Sequence, residues 1–228
     1  MTPQRRYEID DFAFVGRTLA EYRRMFDLDV EALAGRRVLD CPAGPCSFVA
    51  EARDRGVRAV GVDAMYGRSP AALARLATED AARATAALDG VEDLYRWEFY
   101  EDVAELETYR HRAASRFLRD YARHGGRYVG ATLPELPFPD DAFETVLSAH
   151  LLFLYDDRLS PEFHLDTVRE LLRVGEEVRV FPLHGFDAER SKLVAVVVDA
   201  LRADGHAVET RTVPFEFQRG ANEMLVVG

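Results

Sequence analysis

Two short apolar runs, each ending in an acid, constrain this chain most. The first, Arg37-Val38-Leu39-Asp40, breaks at once into Cys41-Pro42-Ala43-Gly44-Pro45-Cys46. An apolar run, a Pro/Gly turn and a longer apolar stretch after Ser47 read as strand, tight loop and helix. About 20 residues on, Ala59-Val60-Gly61-Val62-Asp63 repeats the strand with its terminal acid. Two such edges side by side are how an open α/β sheet holds an adenosine-containing ligand. The loop lets backbone approach the ligand, and the second acid accepts hydrogen bonds from ribose hydroxyls. No Gly-x-Gly-x-x-Gly follows the first strand, which argues against a nicotinamide oxidoreductase. A carboxylate at the start of the turn suits a ligand that carries a cation.

The rest of the chain alternates in the same way. A helical pattern over 10–33 precedes the first strand, and a helix over 47–55 follows it. Ser69-Pro70, an N-cap with proline at the first helical position, opens a helix that the pattern carries to Leu88. The third strand is expected only at 127–131. Between lies a charged segment with Leu94, Trp97, Val103, Leu106, Tyr109, Ala113, Phe117 and Tyr121 in a helical stripe. It reads as a helical insertion, packed on the sheet or forming a lid with Trp97, Phe99 and Tyr100. Further strands are expected at 144–148, 177–182, 207–214 and 223–227, with helices opening at Ser160-Pro161 and running over 188–203. Arg219-Gly220-Ala221-Asn222 is short and polar, so the last two strands should form a closing hairpin.

In these residues the chain resembles the class I S-adenosylmethionine-dependent methyltransferases. Their first motif, acid-x-Gly-x-Gly-x-Gly, is in register with Asp40 to Cys46, with Pro42 and Cys46 in place of two glycines and Gly44 kept. Leu136-Pro137-Phe138-Pro139-Asp140-Asp141-Ala142-Phe143-Glu144-Thr145-Val146 is similar to the family's approach to its fourth strand. Phe153-Leu154-Tyr155, Glu162-Phe163-His164 and Asn222-Glu223-Met224-Leu225 look like a bacterial and archaeal methyltransferase-like group. The resemblance covers residues 36–228. It implies an α/β fold, a Rossmann-like doubly wound seven-stranded sheet, mostly parallel with an antiparallel last strand. It also implies one S-adenosylmethionine-binding domain over 1–228, with N-terminal helices in 1–34 and the insertion over 91–125.

The same resemblance implies roles for single residues. Asp40 would hold the methionine amino group, directly or through water, with Ala43 and Gly44 in the loop. Asp63 would take the ribose hydroxyls, Ala64 would follow it, and Met65 would lie against adenine. Family members place an acid after the third strand for the adenine amino group; here Thr132 and Leu133 occupy that place. Ser148 would lie beside the methyl group. His150 is the candidate base, since an unperturbed imidazole titrates near pH 6.5. Tyr155, Glu162 and His164 would line the acceptor pocket. Arg17 and Tyr22 would reach it from the N-terminal helix, Arg17 pairing with the methionine carboxylate. Each has a plainer reading as a satisfied strand-end acid, a core histidine, a cap or a solvated charge.

The expected activity is methyl transfer from S-adenosylmethionine to a small molecule. Its rival is a catalytically inactive relative that binds the cofactor as a sensor or interaction module, which Pro42, Cys46 and the missing adenine acid favour. Composition narrows the partners. The net charge is −11 and Arg residues form no stripe, so nucleic acid is not expected. Hydrophobic residues make up 48% of the chain, enough for a core, yet no run reaches the length of a membrane span. The N-terminus lacks an apolar leader, which makes the cytoplasm the expectation. Cys41 and Cys46 are the two cysteines, too few for structural zinc, and Lys192 is the one lysine, in a place unsuited to catalysis. No metal is expected.

Overall fold

The computed structural model describes Tyr7 and residues 11–228. Strands β1 (Arg37–Asp40), β2 (Arg58–Asp63), β3 (Tyr128–Gly130), β4 (Phe143–Ala149), β5 (Gly175–Phe181), β6 (Val208–Thr212) and β7 (Glu223–Val227) form one sheet in the order β3-β2-β1-β4-β5-β7-β6. Pairing is parallel from β3 through β5, and β7 runs antiparallel to both β5 and β6. This is the Rossmann-like methyltransferase sheet, and the expected hairpin places β7 between its neighbours. The order reverses between β1 and β4, so the carboxyl ends of these strands border the crevice where ligands of open α/β sheets bind.

Helices α1 (Leu19–Met25), α2 (Phe48–Arg53), α3 (Pro70–Ala86), α4 (Val103–Arg123), α5 (Pro161–Val174) and α6 (Leu193–Ala203) surround the sheet. Their starts follow from local chemistry. The Ser69 side chain accepts a hydrogen bond from the Ala72 N–H and Ser160 does the same for Phe163, each with proline next in the chain. On α4, Leu106, Arg110, Ala113 and Phe117 fall on one buried face, and the helix packs against α3. Phe138 sits edge-on to Phe143, and Arg173 of α5 donates to the carbonyls of Leu136 and Phe138 and to Asp140. The Leu136-Pro137-Phe138-Pro139-Asp140 motif is thus bolted to α5. No helix among the described residues is long and apolar enough to cross a membrane.

One expectation needs correction. The helical pattern over 10–33 becomes a helix only over Leu19–Met25; its expected start at Asp10 and the polar N-terminus, 1–6, lie outside the described residues. Residues 12–18 instead run without helical structure as a strap. Long-range bonds overrule the periodicity there. The Phe14 N–H donates to Asp80 at 2.7 Å and the Ala13 N–H to the Tyr155 hydroxyl at 3.0 Å. Helix α1 begins where Thr18 and Glu21 close a capping box. In the insertion, only Val103–Arg123 is a long helix. The preceding loop folds its rings inward, with Trp97 on Phe217 and Phe99 on Phe215.

Candidate active site

The loop after β1 is held by backbone and by one carboxylate. The Cys41 N–H donates to the Leu147 carbonyl and the Ala43 N–H to the Val62 carbonyl, so the turn is pinned to both neighbouring strands. Asp63, ending β2, accepts from the Gly44 N–H at 2.9 Å with one oxygen and from the Met65 N–H at 2.8 Å with the other. Burial raises the Asp63 carboxyl above its ordinary range, and these two donors pull it back. Gly44 adopts φ +51, the left-handed region, and a Cβ built there would meet nothing within 4 Å. The loop therefore presents bare backbone to open space. Tyr66 closes it from behind, its hydroxyl donating to the Gly44 carbonyl at 2.5 Å.

Asp40 lies beneath this loop. Its side chain is fully buried, and the Tyr22 hydroxyl donates to both carboxylate oxygens, at 2.9 and 3.1 Å. Burial pushes the Asp40 carboxyl well above the usual range, against the pull of the Tyr22 bond. Tyr22 itself is fully buried and stacks on Phe48. Neither residue reaches the cavity described next. Asp40, expected to hold the amino group directly or through water, and Tyr22, expected at the acceptor, thus stand behind the loop and not on the cavity wall. Together they brace the loop against α1 and α2.

A cavity of about 590 Å³ opens at the carboxyl ends of β1, β2, β4 and β5, within the range of about 300–1,000 Å³ common to small-molecule sites. Ala43, Gly44, Asp63, Ala64, Met65, Thr132 and Leu133 are among the residues that line it. His150, Tyr155 and Arg17 line it as well. The strap roofs it through Asp11, Phe12, Ala13, Phe14 and Val15. The strap lies directly on the loop: a Cβ on Gly16 would stand 2.3 Å from the Pro45 carbonyl oxygen, a clash that only glycine avoids. The Arg17 N–H also contacts the Cys46 sulfur at 3.1 Å. The second cysteine of the motif is therefore a packing partner, and burial pushes its thiol up to about 12.

Two further residues expected at the site lie off the cavity wall. Ser148 is buried away from the cavity; Ala149, one residue on, faces it, as strand alternation requires. His164 is fully buried on α5, with Nδ1 2.8 Å from the Ser160 carbonyl and its ring against Phe153. Glu162 does not line the cavity either. The insertion does contribute, but through Tyr95, Leu106 and Arg110 rather than through Trp97, Phe99 or Tyr100.

A buried charge cluster missed by the sequence reading completes the site. Glu21 is fully buried and accepts from Arg110 at 2.6 Å, from the Thr18 N–H at 2.6 Å and from the Tyr100 hydroxyl. Arg17 approaches the same carboxylate at 3.8 Å and donates to the carbonyls of Val15 and Gly16. Burial would raise the Glu21 carboxyl, but Arg110 and Arg17 hold it below its ordinary value. His150 feels the same cations. Burial, then the charges of Arg17 and Arg110, push its imidazole well below 6.5, so it is neutral at neutral pH. His150 also sits at φ +55, an uncommon conformation, and its buried Nδ1 has no hydrogen-bond partner. One signal for the cluster was available in the sequence: Arg110 falls between Leu106 and Ala113 on the apolar face of its helix. Glu21→Ala should cost about 3–5 kcal/mol, because it strands buried guanidinium charge. Urea denaturation of the variant checks this, and a loss under about 1 kcal/mol would mean the cluster is solvated.

Comparison with known proteins adds one relative in sequence and several in fold. The chain is 31% identical over 220 residues to the uncharacterized protein MJ0045 of Methanocaldococcus jannaschii, spanning 96% of this chain and 97% of that one. No family model matches. Among solved structures, 1,6-didemethyltoxoflavin-N1-methyltransferase of Burkholderia thailandensis, with bound 1,6-didemethyltoxoflavin and S-adenosylhomocysteine, is 15% identical with a TM-score of 0.47, covering 92% of this chain and 76% of that one. Magnesium protoporphyrin IX methyltransferase of Synechocystis PCC 6803 is 11% identical with a TM-score of 0.45, covering 86% and 70%. At such scores the likeness adds nothing to what the strand order already establishes.

Proposed function

We infer, starting from a chain that belongs to the family of the Methanocaldococcus jannaschii protein MJ0045 and carries the class I methyltransferase fold, that it binds S-adenosylmethionine and methylates a small molecule. One observation carries this reading: the bare turn at Gly44 sits at the sheet's reversal point, latched to Asp63 and open to the cavity. The residues present fit the cofactor. Asp63 spends one acceptor site per oxygen on backbone, and a carboxylate has about four, so ribose hydroxyls still find acceptors. Met65 offers an apolar face for adenine, and Thr132 a hydroxyl in place of the family's acid.

Bound there, S-adenosylmethionine supplies a methyl group already activated by its own sulfonium. The chain's part is then mainly alignment, which suits a site with few acid/base groups. The strap covers part of the cavity from above. The neutral His150 imidazole can accept a proton from an acceptor that must lose one. A roofed, largely apolar cavity and a net charge of −11 both favour a small acceptor over a nucleic acid.

Titration calorimetry with S-adenosylhomocysteine tests the reading. Binding is expected in the wild type. Asp63→Ala should weaken it by about 1.5–3 kcal/mol, through loss of a charged acceptor and of the loop's latch. Unchanged affinity in a folded variant would remove Asp63 from the cofactor site.

A further inference from the structure

Beyond the loop, the cavity changes character. Tyr7, Tyr95, Tyr155, Phe186 and Phe217 line it with interlocked rings. Tyr7 stacks on Phe186 at 5.4 Å, Tyr95 meets Phe217 at 4.6 Å, and Tyr155 stands edge-on to Phe186 at 4.9 Å. Such walls give flat apolar molecules large contact areas at fixed geometry. The phenol groups of Tyr7 and Tyr155 are committed to backbone, one to the Ala84 carbonyl and the other to the Ala13 N–H. The rings supply the main contact surface.

Among the described residues, the inner edge of this region carries two guanidinium groups around one carboxylate. Arg17 and Arg110 both line the cavity, and within their cluster Glu21 supplies the carboxylate that both approach. Arg110 is bound closely to Glu21, whereas Arg17 stands off at 3.8 Å. Among the described residues the other acids on the wall are engaged elsewhere, Asp63 by the Gly44 and Met65 N–H groups. Asp80 is engaged by the Phe14 N–H and by Arg83 at 2.6 Å, and Asp11 is exposed on the strap. A partly buried cation without a close counter-charge is completed by an anion.

We propose that the acceptor is a planar aromatic compound bearing a carboxylate, its ring held among Tyr7, Tyr95, Phe186 and Phe217 and its anionic group paired with Arg17. This rests on the methyl-transfer reading only in naming the ligand an acceptor; the site for an aromatic acid stands on the rings and the charge cluster. His150 lines the same cavity. Specificity would come from the cation, because a neutral analogue leaves Arg17 without its counter-charge.

Matched probes test this: 2-naphthoate, its neutral amide 2-naphthamide, and the aliphatic octanoate, each titrated calorimetrically with and without saturating S-adenosylhomocysteine. Naphthoate should bind at least about tenfold more tightly than either of the others, the value of one charge-assisted hydrogen bond or of the ring contacts. Arg17→Gln should erase the preference over the amide and leave S-adenosylhomocysteine affinity unchanged. Arg17→Lys, which keeps the charge, should retain part of it and so guards against a merely unfolded variant. Equal binding of naphthoate and naphthamide would overturn the proposal. So would a fall in S-adenosylhomocysteine affinity in Arg17→Gln with the naphthoate preference intact, which would give Arg17 to the methionine carboxylate. Naphthoate preference without any S-adenosylhomocysteine binding would uphold the aromatic-acid site and sink the methyl-transfer reading instead.

Discussion

Gly44→Val is expected to lower S-adenosylhomocysteine affinity by at least about 100-fold, or ~2.7 kcal/mol. Two effects add. A β-branched residue at φ +51 is strained by roughly 1–2 kcal/mol, and relief of that strain would pull the Gly44 N–H off Asp63. The new side chain would also occupy the open space into which Cβ points, the space given to the cofactor in the proposed function. Gly35→Val is the control. Gly35 has φ +81 and equally open surroundings but lies outside the cavity lining, so it should destabilise the fold without touching binding. Calorimetry on the pair separates strain from occlusion. Retained affinity in Gly44→Val would mean the loop is not the cofactor cradle.

His150→Asn should cut turnover by roughly 10²–10⁴ with cofactor affinity nearly unchanged, if the acceptor must lose a proton in the reaction. Asparagine is the right replacement because it tolerates the left-handed backbone that His150 adopts. The pH dependence carries a sign. With its folded value below 6.5, the imidazole is already neutral and competent at pH 6.5, so the acid limb of kcat should fall below that pH rather than at it. Stability follows the same direction. Below pH 6.5 the unfolded chain takes up a proton that the folded site resists, so this residue's share of stability is lost as pH falls toward the folded value. Normal turnover in a folded His150→Asn would leave alignment alone as the source of catalysis.

Much of the architecture was legible because it is local. β1 and β2 were readable from apolar runs with terminal acids, α3 and α5 from Ser-Pro starts, and the closing hairpin from its polar turn. The positions of Gly44, Asp63, Met65 and Thr132 around one crevice followed from the order of these elements, since a parallel sheet brings all strand carboxyl ends to one edge. His150 at the end of β4 followed in the same way. These features depend on short-range pattern and on rules of connection, both written along the chain.

Tertiary structure decided what depends on distant partners. Residues 12–18 look helical in isolation, but bonds to Asp80 and Tyr155, 66 and 142 residues away along the chain, draw them out into a roof. Asp40 and Asp63 look alike in sequence, each an acid ending an apolar strand. Packing of Tyr22 over Asp40 buries the first, while the second keeps a face on the cavity. Arg17, Glu21 and Arg110 are ordinary surface types by composition. They become a cluster only because Arg110 of α4 reaches Glu21 of α1, where burial strengthens their mutual charge. The type of each group was set by sequence, but whether it meets water, another charge or a ligand depended on contacts that no local pattern encodes.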